Sequence, residues 1–338
     1  MNLAVRYHEF GDPTKVLQLE ELPVPHPKGN EVLVEMLAST IHPSDLGLIN
    51  GSYGKLRKLP AIGGREGVGK VIEVGSQADR KLVGRIVSMS ESMGTWQTFT
   101  TINANELIFL PSLVPLEQLT VAILNPLTAW RILHDFEYLR EGDFIIQNAG
   151  NSAVGEAVIQ FSKLLGVSCI SLVRTKERLL ELKKSGAELV LMDDDEVPEK
   201  VDEWTKGKKC VMALNSIGGR SALRLAKSIC EGGIHLTFGA MDGSPIRFPT
   251  RELIFNDIRF LGFWLDRWKK RQTPEDLRKE IDRVLQLLAL DQVRYSIDQT
   301  FELRQIQGAW ARNQESRLGK VVIVPNSEDS KKSSLNFI

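Results

Sequence analysis

FIIQNAGNSAVGEAVIQ, residues 144–160, holds the instructions for a strand, a turn and a helix in one short run. Phe144–Gln147 reads as a buried strand, and the segment from Ser152 reads as a helix that ends at Gly166. Between them Gly150, Ser152 and Gly155 fall on the pattern G-x-G-x-x-G, with serine in the middle place. The first small residues allow a tight turn, and Gly155 lets helix and strand approach closely. The free N–H groups at the helix start, helped by the helix dipole, make a place for a pyrophosphate. The side chain of Ser152 stands where bare backbone usually meets the phosphate. Either the phosphate sits farther out, or the hydroxyl donates to it. A degenerate glycine pattern says little by itself; its position at a strand-to-helix junction carries the reading.

The neighbouring sequence repeats that grammar. SCISLVR (168–174), AELVLMD (187–193), KKCVMALNSIGG (208–219) and IHLTFGA (234–240) read as strands, with helical stretches between them. Such alternation means a parallel sheet with helices on both faces. Upstream, LEQLTVAILNPLTAWRILHDF (116–136) has helical spacing interrupted by Pro126. Residues 1 to 120 differ. VLVEMLAST (32–40), VGKVIEVGS (68–76), VGRIVSMS (83–90) and TFTTINANELIFLP (98–111) are short β-branched runs, and glycines 63, 64, 67, 69 and 75 suit the corners of a small barrel. No helical period stands out there. Strand-like segments return at 291–325, before a polar tail, NSEDSKKSSLNFI (326–338), expected to be mobile. The fold class is α/β: a Rossmann-type parallel sheet plus a discontinuous β-rich barrel. The expected barrel domain covers 1–117 and 267–338, and the nucleotide domain 118–266.

Composition narrows the function. The 338 residues exceed one ordinary core, and 43 basic residues balance 43 acidic ones, so nothing draws the chain toward nucleic acid or membrane. Three cysteines, Cys169, Cys210 and Cys230, form no short pairing motif, which fits a reducing compartment. No signal or membrane segment is legible, so the expected location is cytoplasmic, with a processed organellar form as the other option. After the second strand of the nucleotide domain, SLVRTKER (171–178) offers Arg174, Lys176 and Arg178 and no acid. Cations there suit a 2′-phosphate, favouring NADPH over NADH. The competing reading is a solvated basic helix start, although cations at a helix N-terminus oppose its dipole.

No cysteine precedes Cys169. The early histidines are His8, His26 and His42, and Arg65 occupies GGREG (63–67) where a second ligand would be wanted. No metal site is expected. Tyr53, between Gly51 and Gly54 in INGSYGKLRKLP (49–60), is either a surface aromatic in a turn or a proton donor.

The segments IHPSDLGLINGSYGKLRKLPAIGGREGVGKVIEVGS (41–76), GTWQTF (94–99), LNPLTAWRIL (124–133), IQNAGNSAVGEAVIQ (146–160), ALNSIGG (213–219) and IFNDIRFLGFWLDRWKK (254–270) resemble, in order, the mitochondrial-type 2-enoyl thioester reductases. These form a zinc-free branch of the medium-chain dehydrogenases and reductases. The resemblance implies a GroES-like catalytic domain beside the Rossmann domain. It also implies NADPH-dependent reduction of the C2–C3 double bond of enoyl-CoA or enoyl-acyl-carrier protein in fatty acid synthesis. Tyr53 is the implied catalytic residue, matching the family's GNYG segment through Gly51, Ser52 and Gly54. Implied cofactor contacts are Asn125; Gly150, Asn151, Ser152, Ala153, Val154 and Gly155; Arg174 and Lys176; Phe238, Gly239, Ala240 and Met241; Phe263, Trp264 and Leu265; and Lys320. Two positions depart from the family: His42 replaces an asparagine and Phe238 an aromatic hydroxyl. A homodimer paired through the edge strand IRFLGFWL (258–265) is also implied. Lys55, Arg57 and Lys58, with WKKR (268–271), are either handles for CoA phosphates or an acidic carrier, or simply solvated charges. Alternative functions are a zinc-free NADPH quinone or enone reductase, and a non-catalytic NADPH-binding protein.

Overall fold

The computed structural model describes residues 1–88, 93–246 and 249–325. The polar tail 326–338 and the last residues of VGRIVSMS lie outside the described residues. The chain divides into two compact units, one formed by Met1–Ala122 with Ser296 onward, the other by Ile123–Tyr295. The second boundary therefore falls well after the expected 266/267. Its physical reason is the helix Pro274–Ala289, which packs on Leu124–His134 and ties Glu280 to Arg131 Nη1 at 2.6 Å.

The first unit is built around one long strand, Glu31–Thr40. It pairs antiparallel with Gly67–Val74 through two register shifts, with Phe99–Asn103 along its first half, and with Lys320–Val324 at its end. Register shifts bend and twist a strand, which is how a short sheet curls into a barrel. Ile297–Glu302 lies parallel to Lys320–Val324, so the C-terminal segment completes a sheet begun 260 or more residues earlier, as the discontinuous barrel requires. Fully buried Tyr7, Ile41, Ile49 and Trp96 share one core with Trp310, whose ring meets Trp96 edge-on at 6.3 Å. Among the helices of this unit that the sequence reading missed are Ile306–Gln314, inside the stretch read as strand-like, and Pro43–Asn50. The latter is short, begins with a proline that presets helical φ, and ends at Gly51 with φ +84°. His42 is its N-cap residue and is buried.

In the second unit six strands, all parallel, lie in the order 189–192, 168–173, 144–147, 210–215, 229–237, 259–262. The order reverses between Phe144–Gln147 and Cys210–Asn215, so the carboxyl ends of those two strands mark the topological switch point where open α/β sheets bind ligands. Pro126 does not interrupt a helix. It lies in the first turn of Leu124–His134, where its missing N–H would have had no partner anyway.

Candidate functional site

The nucleotide unit builds its candidate site from backbone. Gly150 and Gly155 are demanded by close approach, not by φ. A Cβ on Gly155 would stand 2.6 Å from the Gly150 carbonyl oxygen, and one on Gly150 would stand 2.7 Å from Ser171 Cβ. Ser152 is the N-cap of the helix Ala153–Leu164, its oxygen accepting from Gly155 N–H at 3.1 Å. The serine thus has a structural task that a glycine in the same place could not perform. Its hydroxyl proton remains available to an anion. Asn151, Ala153 and Val154 complete the turn into this helix.

Beside that loop lies a buried polar network the sequence reading missed. Asn148 Nδ2 donates to Asn215 Oδ1 at 2.8 Å and to Ser221 Oγ at 3.0 Å, while Asn148 Oδ1 accepts from Ser216 N at 2.8 Å. Ser221 passes the chain to Asp193, which Arg224 holds at 2.9 Å. The network locks together the strand ends at the switch point. Its only sequence signal was a pair of asparagines at the ends of two apolar strands.

Phe238, Gly239, Ala240 and Met241 run past the same place. Phe238 N donates to Asn215 O at 2.9 Å and Met241 N to Ser216 O at 3.0 Å, and Gly239 lets the chain graze Ser216. Arg174 and Lys176 are exposed immediately after the strand Ser168–Val173, with no ion pair among the described residues. Arg178 differs, being tied to Glu181. Phe263 is buried edge-on against Phe136, Leu265 is buried, and Trp264 lies beneath the Arg267 guanidinium at 5.8 Å. In WKKR, Trp268 packs against Arg131 and Lys270 reaches the Trp264 ring, so that run is partly spent on packing.

These residues fit a dinucleotide phosphate. Asn125 is buried with its Nδ2 lacking a partner, an orphan donor that a ligand would satisfy. The glycine turn sets a helix N-terminus against the end of a strand, and exposed Arg174 and Lys176 follow the next strand, a charge suited to a 2′-phosphate. Burial pushes the Cys169 thiol up to about 12 and raises those of Cys210 and Cys230 as well.

The barrel unit builds its candidate site from side chains. Gly63 and Gly64 lie flat on the Trp96 indole, where added Cβ atoms would come within 2.2 and 2.5 Å of the ring. The Arg57 guanidinium holds the same turn by donating to the carbonyls of Ile62 and Gly64. Arg57 therefore serves the fold, while Lys55 and Lys58 are exposed. Tyr53 N and Ser52 N both donate to Gly47 O at 2.9 Å. Gly47 is bare where the Tyr53 ring lies, 3.2 Å from where its Cβ would be. So Tyr53 is set on the end of a helix, and Arg65 Nη1 donates to its phenol oxygen at 2.6 Å.

Behind this pair lies a buried charge cluster. His42 Nε2 is 2.9 Å from Glu66 Oε2, the His42 N–H donates to Asp45 at 2.7 Å, and Lys320 Nζ donates to Ile41 O at 2.6 Å. Burial brings Lys320 down to about 8, with Glu66 opposing. Burial, then Lys320, keeps the His42 imidazolium below its usual range. Zinc does not fit. Among the described residues no three His, Cys, Asp or Glu side chains converge, and the one histidine here shares its surroundings with a buried ammonium.

Fold and site together define a medium-chain dehydrogenase/reductase. Residues 28–112 match the family described as alcohol dehydrogenase GroES-like domain, and residues 153–286 match the one described as zinc-binding dehydrogenase. The mitochondrial enoyl-[acyl-carrier-protein] reductase of Rattus norvegicus is 39% identical over 82% of this chain and 76% of its own. The complex of Etr1p from Candida tropicalis with NADP and crotonyl-CoA superposes with a TM-score of 0.85, at 28% identity, over 96% of this chain and 99% of Etr1p. A Bacillus thuringiensis protein named as an NADPH:quinone reductase superposes with a TM-score of 0.88, at 30% identity, over 96% and 99%. The chain belongs to the mitochondrial-type enoyl thioester (enoyl-acyl-carrier-protein) reductase family.

Proposed function

We infer that this protein reduces the C2–C3 double bond of trans-2-enoyl thioesters, carried on CoA or acyl-carrier protein, with NADPH, as a step of fatty acid synthesis. The observation that carries the reading is a phenol held by a buried guanidinium in one unit, together with an NADPH-type phosphate loop in the other. When bound, NADPH supplies a hydride for the substrate's C3. The chain must then steady the negative charge that develops on the thioester oxygen and provide a proton for C2. Tyr53 suits both tasks, because a phenol is protonated at neutral pH and is still able to donate. The turn at Gly150–Gly155, Asn125 and residues 238–241 hold the dinucleotide, and Arg174 and Lys176 select the 2′-phosphate. No step runs through zinc. Phe263 and Leu265 shape the wall behind Trp264.

Two copies pair through the strand Arg259–Gly262, one of the two edge strands of the six-stranded sheet. Light scattering tests that, and subcellular fractionation tests the cytoplasmic location against the mitochondrial one in the relatives' names. The function is tested by NADPH consumption across enoyl-CoA chain lengths, with NADH and a simple quinone as controls. Preferred turnover of enoyl-CoA is expected. The likeness to the Bacillus thuringiensis protein favours the second reading, a quinone or enone reductase, which predicts quinone turnover instead.

A further inference from the structure

We propose that Arg65 is a positioning residue for the reaction: it orients the Tyr53 hydroxyl and steadies the charge that proton donation leaves behind. The inference rests on the reading of Tyr53 as the proton donor and deepens it. Arg65 Nη1 donates to the phenol oxygen at 2.6 Å, and the guanidinium carbon lies 4.9 Å from the ring centroid. A phenol oxygen that accepts from an arginine keeps its own O–H for another partner, and that O–H must turn away from the guanidinium. The hydroxyl is thereby aimed before any substrate arrives, which spares the cost of reorganisation during the reaction. When the proton leaves for C2, the electron pair stays on the oxygen and faces a fixed positive charge. Water then returns a proton to the phenolate.

The charge cannot wander. Arg65 is only 6% exposed, and its backbone is fixed by the packing of Gly63 and Gly64 on Trp96. In such surroundings a charge-assisted hydrogen bond is worth more than at the surface. Arginine is also a better choice than lysine, because its planar fork has less freedom to lose.

The experiment is a double-mutant cycle with NADPH and crotonyl-CoA, using Tyr53→Phe, Arg65→Met and the pair, with Arg65→Lys as the conservative variant. Arg65→Met should lower kcat about 10- to 100-fold while both KM values stay within about threefold. Arg65→Lys should recover part of the loss, and the double variant should be no slower than Tyr53→Phe. NADPH fluorescence titration and thermal melting confirm that each protein is folded. If Arg65→Met fails to fold, the same cycle is run with Arg65→Lys, for which an effect present with Tyr53 and absent with Phe is expected. A loss that multiplies that of Tyr53→Phe, or one confined to KM, overturns the proposal while leaving Tyr53 in place. Full turnover by Tyr53→Phe overturns both readings at once.

Discussion

Two glycine-rich turns in this molecule do opposite things. At Gly150–Gly155 the glycines clear side chains away so that backbone can meet backbone, and the product is a tight strand-to-helix turn capped by Ser152. At Gly63–Gly64 they clear room for the Trp96 indole, and the product is a platform that presents Arg65 and Glu66 as side chains. The first turn is a local device: its strand, turn and helix are contiguous in the chain. The second gathers partners from far away, since Lys320 reaches the carbonyl of Ile41 and Trp96 reaches that of Thr40. A backbone site tolerates changes of side chain that leave the turn intact. A side-chain cluster of buried charges fails when one member is removed.

The largest test of this contrast is Tyr53→Phe. It should lower kcat by about 10²- to 10⁴-fold and leave NADPH affinity unchanged, as read by stopped-flow turnover and fluorescence titration. Parallel loss of NADPH binding would mean that the two turns do not act separately. Next is Glu66→Ala, which removes the buried carboxylate that faces His42 and favours the Lys320 charge. Leaving a buried charge uncompensated costs about 3–5 kcal/mol, and urea unfolding should report it.

Lys320 itself gives a pH signature of about 3 kcal/mol. Its pKa is about 8 in the folded protein against an ordinary 10.5. Between those values the unfolded chain binds the extra proton, so stability rises with pH through this window; below pH 8 the buried charge is a standing cost. The rise should vanish in Lys320→Met. A flat profile in the parent protein would place Lys320 in solvent. The smallest effect belongs to the backbone site. Arg174→Ala with Lys176→Ala should weaken NADPH about 10- to 100-fold and leave NADH alone, measured by binding titration. An equal loss for both cofactors would make these cations general steering charges.

Legibility in the sequence follows the same divide. The parallel sheet, the phosphate turn and the basic strand end were readable because each rests on neighbours within about 30 residues. Ser152 was readable as a departure, but its role as a cap needed the distance to Gly155 N–H. The helix Pro43–Asn50 was missed because eight residues carry too little periodicity to separate helix from loop. Arg57 read as either a handle for phosphates or an acidic carrier or a solvated charge, and the fold spends it on two carbonyls. Arg65 was read only as the absence of a metal ligand. Nothing in the spacing of GGREG says that its side chain ends on a phenol twelve positions earlier.

The sequence by itself determined the class of sheet, the preference for NADPH and the poverty of metal ligands. All of these follow from local pattern and from the inventory of residue types. Only the tertiary structure decided that Arg65 holds that tyrosine, that His42 faces Glu66, and that Lys320 closes a charge cluster with residues near position 41. The reason is physical. A buried charge is tolerable only where the fold supplies its partner, and barrel closure brings those partners together from opposite ends of the chain.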